Sequence, residues 1–312
     1  MRPGYAALAS LCFAIADPAS AQSNADFDCT LPRVIGTGPI VIKTTLSETP
    51  ALIRIPSKIS RSPIVLWHGF GPPASEQALM DALPLDDVPA VKVYLGLPMF
   101  GSRAPEQGAE ELARRQQQDL ATLVFEPVVM GAAKELPAVV RALEERRCMM
   151  RGEHIGLFGF SAGGAAVLYA LAERDVPIGA AVTLNASTGL SASVEAYERA
   201  TKGSYNWTDA ARRLAQRSDA AGRAKDIAKG HPPPALLIIH GSDDAMLTPE
   251  VAGTLHQALV PPYQEALAAN SLQLLLVPGL AHGWTSPGTL EALRSSIAAW
   301  FDNYQWPAGS TR

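Results

Sequence analysis

The sequence predicts an α/β fold in which one mostly parallel, eight-stranded sheet carries helices on both faces and a small helical cap. Three observations predict it. Short apolar, β-branched runs recur along the chain with helical stretches between them, the alternation of a sheet covered on two sides. The later runs are nearly continuous in hydrophobic residues, as strands buried on both faces are. The chain's 312 residues, 47% hydrophobic and 18% charged, supply one sizeable core.

Strands are expected near Ile40–Leu46, 51–55, 64–67, 91–95, Ile155–Phe160, 180–184, 236–240 and Leu272–Val277. Ser47-Glu48-Thr49-Pro50 is a turn-rich link suited to a hairpin, so the sheet is expected to begin antiparallel and continue parallel. Helices fill the intervals. Residues 116–145 read as a long helical region broken at Pro127 and Pro137. Residues 162–174 make a small-residue helix, and 249–259 a helix with Pro249 at a favoured first position. Residues 290–304 close the domain, with Leu293, Ile297, Trp300 and Phe301 at helical spacing. Residues 186–234 interrupt this rhythm: they are rich in Ala, Ser, Arg and Asp and carry no strand signal. They read as a small helical cap over the sheet's C-terminal edge, the alternative being an elaborated surface loop.

The chain's start reads as a targeting segment. Arg2 supplies a positive charge, residues 5–16 an uncharged apolar stretch, and Pro18-Ala19-Ser20-Ala21 the small residues that a signal peptidase reads. Residues 1–21 are therefore expected to be a signal peptide cleaved after Ala21. Residues 22–37 then form an N-terminal extension, and 38–312 a single domain in an exported protein. The apolar stretch is shorter than the about 20 residues a transmembrane helix needs. Leu11, a large residue, precedes Cys12 where a lipoprotein signal carries a small one, so no stable membrane anchor is expected. Export would leave two cysteines, Cys29 and Cys148, which can form a disulfide in an oxidising compartment; the alternative is two free thiols. A net charge of −4 argues against a nucleic-acid partner, which would show as a basic excess. Nothing in the sequence bears on oligomeric state.

The chemistry centres on Gly159-Phe160-Ser161-Ala162-Gly163. A G-x-S-x-G string arises by chance in roughly one chain in ten of this size and glycine content. Its placement between a strand and a helix gives it weight, because a tight strand-to-helix turn exposes the serine Oγ. A serine hydroxyl needs a base, and the base an orienting carboxylate. His240-Gly241-Ser242-Asp243-Asp244 follows a strand and offers two acids, with Asp244 preferred and Asp243 the alternative. His282, in Ala281-His282-Gly283-Trp284 after the last strand, is selected from six histidines by order and loop position. Two backbone N–H groups should stabilise an oxyanion. They are expected from Ala162, after the serine, and from Phe70 in Trp67-His68-Gly69-Phe70-Gly71-Pro72.

These four motifs together resemble the α/β-hydrolase superfamily from about residue 38 to residue 304. The string Ser161-Ala162-Gly163-Gly164 is similar to the dienelactone-hydrolase and acyl-peptidase branch. The resemblance implies acyl transfer to water through an acyl-enzyme on Ser161, with His282 and Asp244 completing a catalytic triad and no metal or organic cofactor. The expected substrate is a small-molecule ester cleaved by a carboxylesterase. One rival is a peptidase of the prolyl-oligopeptidase type, enzymes that usually carry a large additional domain for which this chain has no room. Another is a non-catalytic binding protein on the same scaffold, which would commonly lack a triad member. Tyr205, Trp207 and Trp284 are candidate acyl-pocket residues, each equally readable as packing, and Arg103 is a weak candidate for contact with an acidic substrate.

Overall fold

The computed structural model describes residues 27–30, 38–284 and 286–307. The expected signal segment, its cleavage point and all of the extension except 27–30 lie outside the described residues. Eight strands form one sheet: β1 (Ile40–Leu46), β2 (Thr49–Ile55), β3 (Arg61–Trp67), β4 (Ala90–Leu95), β5 (Ile155–Phe160), β6 (Ile178–Leu184), β7 (Ala235–Gly241) and β8 (Leu272–Val277). Their spatial order is β1-β2-β4-β3-β5-β6-β7-β8. β2 runs antiparallel to β1 and β4, and every later pairing is parallel, as expected.

Alternate residues of the central strands feed two separate cores. Val65, Trp67, Val93, Leu157 and Ile238 face one side, where they pack with α3 (Gly131–Glu145) and α4 (Ala162–Glu173). Helix α8 (Pro249–Glu265) joins them through Ala252, Leu255 and Leu259. Ile64, Leu66, Phe158, Phe160, Val182 and Ile239 face the other side, under α1 (Glu76–Ala82) and α9 (Pro287–Tyr304). Helix α1 carries no strong apolar period and was not expected from the sequence. Ser75 starts it, its Oγ accepting the Ala78 N–H at 3.1 Å.

The helical region before β5 differs from expectation. It begins at Gly108 with α2 (Gly108–Leu120), continues as a π-helical segment (Ala121–Met130), and runs into α3 without a break at Pro127 or Pro137. Pro127 lies in the π-helical turns, whose wider winding relieves the clash that a proline ring makes in an α-turn. The bend falls instead at Asp119 (φ −164°, ψ 99°). The Asp119 carboxylate caps the next turn, accepting from the N–H of Ala121 and the hydroxyl of Thr122. Helix α8 likewise outruns its expected end and passes through Pro261 and Pro262. Buried Tyr263 anchors this last turn, donating its hydroxyl to Pro234 O at 2.6 Å.

Between β6 and β7 lie three short helices: α5 (Leu190–Thr201), α6 (Asp209–Ser218) and α7 (Ala224–Ile227). Helix α6 packs on the π-helical segment, and α7 packs against α4 and α8. Cys29 and Cys148, 119 positions apart in sequence, form a disulfide with Cα atoms 4.8 Å apart. The bond ties the chain's start to the turn after α3, and the Cys29 N–H adds a bond to Arg146 O at 3.0 Å.

Candidate active site

The residues singled out from sequence converge at the C-terminal ends of the parallel strands, where open α/β sheets form their sites. Ser161 links β5 to α4 with φ 53° and ψ −114°, a conformation that costs a residue with a side chain about 1–3 kcal/mol. Close packing imposes it. A Cβ at Gly159 would overlap the backbone of Gly163, and one at Gly163 would overlap the carbonyls of Trp67 and His68. Only glycine at both positions lets the turn pass this close to β3 and α4. The Ser161 N–H is held by Leu184 O at 3.0 Å. The N-terminus of α4 lies at the serine, favouring negative charge there.

His282 Nε2 lies 3.1 Å from Ser161 Oγ, and its Nδ1 lies 2.8 Å from Asp244 Oδ2. A carboxylate only accepts, so the imidazole proton sits on Nδ1 and Nε2 faces the serine hydroxyl as an acceptor. The Asp244 side chain is fully buried, and its Oδ1 accepts the N–H groups of Met246 and Leu247, each at 2.9 Å. Asp243 is exposed and takes only the neighbouring Ser242 hydroxyl, at 2.6 Å. The structure thus brings Ser161, His282 and Asp244 together and leaves Asp243 outside.

The loop after β3 passes directly over the serine. A Cβ at Gly69 would lie 2.9 Å from the Cβ of Ser161. His68 is buried and bonded at both ring nitrogens, with Nδ1 2.8 Å from Gly69 O and Nε2 3.1 Å from the Leu97 N–H. The amide forces Nε2 to accept, so Nδ1 donates and the ring is neutral. Burial lowers the His68 pKa, in keeping with that state. The bond to Gly69 O orients the Gly69–Phe70 peptide, and the Phe70 N–H points opposite that carbonyl across the same plane. The Phe70 ring stacks on Phe100 at 4.5 Å. Ala162, first residue of α4, has an N–H with no intrahelical acceptor.

Two residues near Asp244 and His282 were not among the expected site residues. His240 is buried, with Nε2 2.7 Å from Leu247 O and 3.5 Å from Asp244 Oδ2, and burial lowers its pKa. Asn185 follows β6 and is fully buried. Its side chain bonds to the acid loop at Gly241 and to the histidine loop at Ala281 and His282. A polar residue ending an apolar strand at the sheet's C-terminal edge was the available clue.

Other candidates take different roles. Trp284 is fully buried, edge-on to Phe160 at 5.7 Å, and belongs to the core. Tyr205 donates to Asp119 at 2.5 Å and meets Trp207 edge-to-face, joining the inserted segment to α2. Arg103 is paired with Glu135 through both terminal guanidinium nitrogens and also donates to Gly96 O, which fixes it within the fold. Among the described residues, no group of three or more His, Cys, Asp or Glu is arranged to hold a metal ion, and no helix is long and apolar enough to cross a membrane.

Sheet order, strand-to-helix turn and site position together define an α/β-hydrolase. Solved structures of this fold superpose well. Dienelactone hydrolase from Anabaena variabilis matches with TM-score 0.55 and 19% identity, over 86% of this chain and 99% of its own. Carboxyl esterase 2 from Tuber melanosporum matches with TM-score 0.58 and 18% identity, over 89% and 90%. A Mycobacterium tuberculosis puromycin-hydrolyzing peptidase matches with TM-score 0.61 and 17% identity, over 88% of this chain and 41% of its own. At such identities the likeness concerns the fold. No curated protein sequence matches the chain. The model of the prolyl oligopeptidase family matches residues 131–305, more than half of the chain, which therefore belongs to that family. The protein is a hydrolase.

Proposed function

We propose that this protein is an exported serine hydrolase that cleaves small or medium carboxylic esters through an acyl-enzyme on Ser161. The observation that carries the reading is the unbroken hydrogen-bonded line from Ser161 Oγ through His282 to the buried Asp244 carboxylate. In this reading His282 Nε2 takes the serine proton as Oγ attacks the ester carbonyl. The N–H groups of Ala162 and Phe70 receive the oxyanion. His282 then returns the proton to the departing alcohol. Water, deprotonated by the same nitrogen, adds to the acyl-enzyme, and collapse of that adduct releases the carboxylic acid and the free serine. Asp244 holds the imidazole's tautomer and stabilises its transient positive charge.

Similarity over nearly the full length of a dienelactone hydrolase and a carboxyl esterase supports ester substrates. Membership of the prolyl oligopeptidase family favours a second reading, cleavage of short peptides at the same serine. The disulfide supports export, since such bonds persist in oxidising compartments. Residues 186–234 are read as a small cap on the domain 38–312, in keeping with the bond from Arg199 on α5 to Met246 O in the acid loop.

Fluorophosphonate labelling followed by peptide mapping tests the reading without a known substrate. The expected result is a single adduct on Ser161 that does not form on protein denatured beforehand, followed by faster turnover of p-nitrophenyl esters than of peptide anilides. No adduct on folded protein would reject the serine-hydrolase reading, and a preference for anilides would transfer it to peptides.

A further inference from the structure

We propose that Asn185 is a positioning residue that locks the acid-bearing loop to the histidine-bearing loop and thereby sets the His282 imidazole between Asp244 and Ser161. The inference rests on the serine-hydrolase reading for its functional consequence, and on geometry alone for the lock itself.

The side-chain amide has one possible orientation. The Gly241 N–H, 2.8 Å away, can only donate, so it must face Oδ1. The carbonyls of Ala281 and His282, at 2.9 and 3.0 Å, can only accept, so they must face Nδ2. Both Nδ2 protons are therefore used, one on each residue of the histidine dipeptide. Gly241 ends β7, three residues before Asp244. One planar group thus spans the start of the acid loop and the base itself.

Asn185 is fitted to act as a rigid anchor. Its own N–H bonds to Ile239 O at 2.9 Å, extending the β6–β7 pairing by one residue. Its φ of 44° lies in the left-handed region, which asparagine tolerates better than most residues. This turn aims the side chain across the sheet's end. Ala186, next in sequence, sits against Gly164 of α4. The histidine loop is more exposed, and Ala281 and Gly283 face solvent. Earlier in that loop, Asp243 N–H bonds to Leu280 O and Gly279 N–H to Ser242 Oγ, again joining it to the acid loop. At His282 itself the main chain is held by Asn185. A carbonyl pair left without these donors would turn to water or shift, carrying the ring with it.

The test uses Asn185→Ser and Asn185→Asp in the full chain, with kinetics and proton NMR on the same samples. A displacement of about 1 Å at a reacting group costs about 10²-fold in rate. The expected result is a 10–100-fold loss in ester kcat and in fluorophosphonate labelling rate, with KM within about threefold of the parent. Asn185→Asp, which turns an oxygen toward two carbonyls, should show the larger loss. The downfield resonance of the His282 Nδ1 proton should move or broaden in both variants. A folded variant with parental kcat and an unmoved resonance would overturn the proposal. The parent protein supplies a test that does not depend on a variant folding. Its Asn185 amide protons should exchange slowly with solvent, and rapid exchange of both would also overturn the lock. A parent that takes no fluorophosphonate yet shows both NMR signatures would remove the hydrolase reading and leave the lock standing.

Discussion

The turn that carries Ser161 is shaped by Gly159 and Gly163, two positions to either side, and by the strand and helix it joins, and it packs on the end of β3 and on Leu184 O of β6. The loops that carry Asp244 and His282 are held from elsewhere. Their bonds to Asn185 span 56, 96 and 97 positions. The backbone conformation of Ser161 is thus set mainly by local geometry, whereas the side chains of Asp244 and His282 are brought together by loops that a tertiary contact joins. A change near the serine should act on the residue changed; a change at the other side should act at a distance, by moving a loop.

The largest effect that sharpens this contrast is Ser161→Ala. It removes the attacking atom while leaving the glycines of the turn in place, so turnover should fall about 10⁶-fold with an unaltered melting curve. A folded alanine variant retaining ester turnover would break the assignment. Next comes the acid. Asp244→Asn should lower kcat about 10⁴-fold, because the buried amide can present a donor to Nδ1 and favour the wrong tautomer. Asp243→Asn, on an exposed side chain, should change kcat less than about threefold. The reverse ranking would transfer the acid's role to Asp243.

A smaller effect is expected at the opposite end of the sheet. Cys148 lies before β5, at the end of that strand away from Ser161. Cys148→Ser should lower the free energy of unfolding by about 2–4 kcal/mol, read from denaturant midpoints. Turnover of the folded fraction should stay within about twofold, since the site does not depend on this bond. A large loss of kcat would show that the disulfide reaches the site after all.

The smallest effect is one of pH, and it touches both regions, because His68 braces the oxyanion loop and His240 the acid loop. Burial holds both pKa values below the ordinary 6.5. As pH falls below about 6.5 the unfolded chain therefore binds protons first, and stability should decline from there. Urea midpoints at pH 7 and pH 5.5 would measure the decline. An unchanged midpoint would mean that the two rings protonate in the folded state as readily as in the unfolded chain.

Much of the sheet was legible because its strands are apolar runs of the right length, and their ends fell within a few residues of those expected. The helices were less so. Pro127 and Pro137 read as breaks and the later helix was expected to end at residue 259, before Pro261 and Pro262, yet the helical runs pass through all four prolines, and packing against the core outweighs the lost backbone bonds. The bend at Asp119 left no comparable mark, because an aspartate before a helical turn is also an ordinary surface residue. Helix α1 was missed for want of an apolar period.

By itself, the sequence determined the sheet's class and the strand-to-helix turn at Ser161. Alternation, glycine spacing and residue order are patterns over a few neighbours and can be read along the chain, even where, as at Gly163, the close approach they permit is to a distant strand. Tertiary structure decided which of two adjacent aspartates faces His282, that Arg103 and Trp284 serve the fold, and that Asn185 joins the two loops. Those outcomes depend on which groups share a buried space and can satisfy one another's hydrogen bonds there. That pairing exists only once distant strands lie side by side.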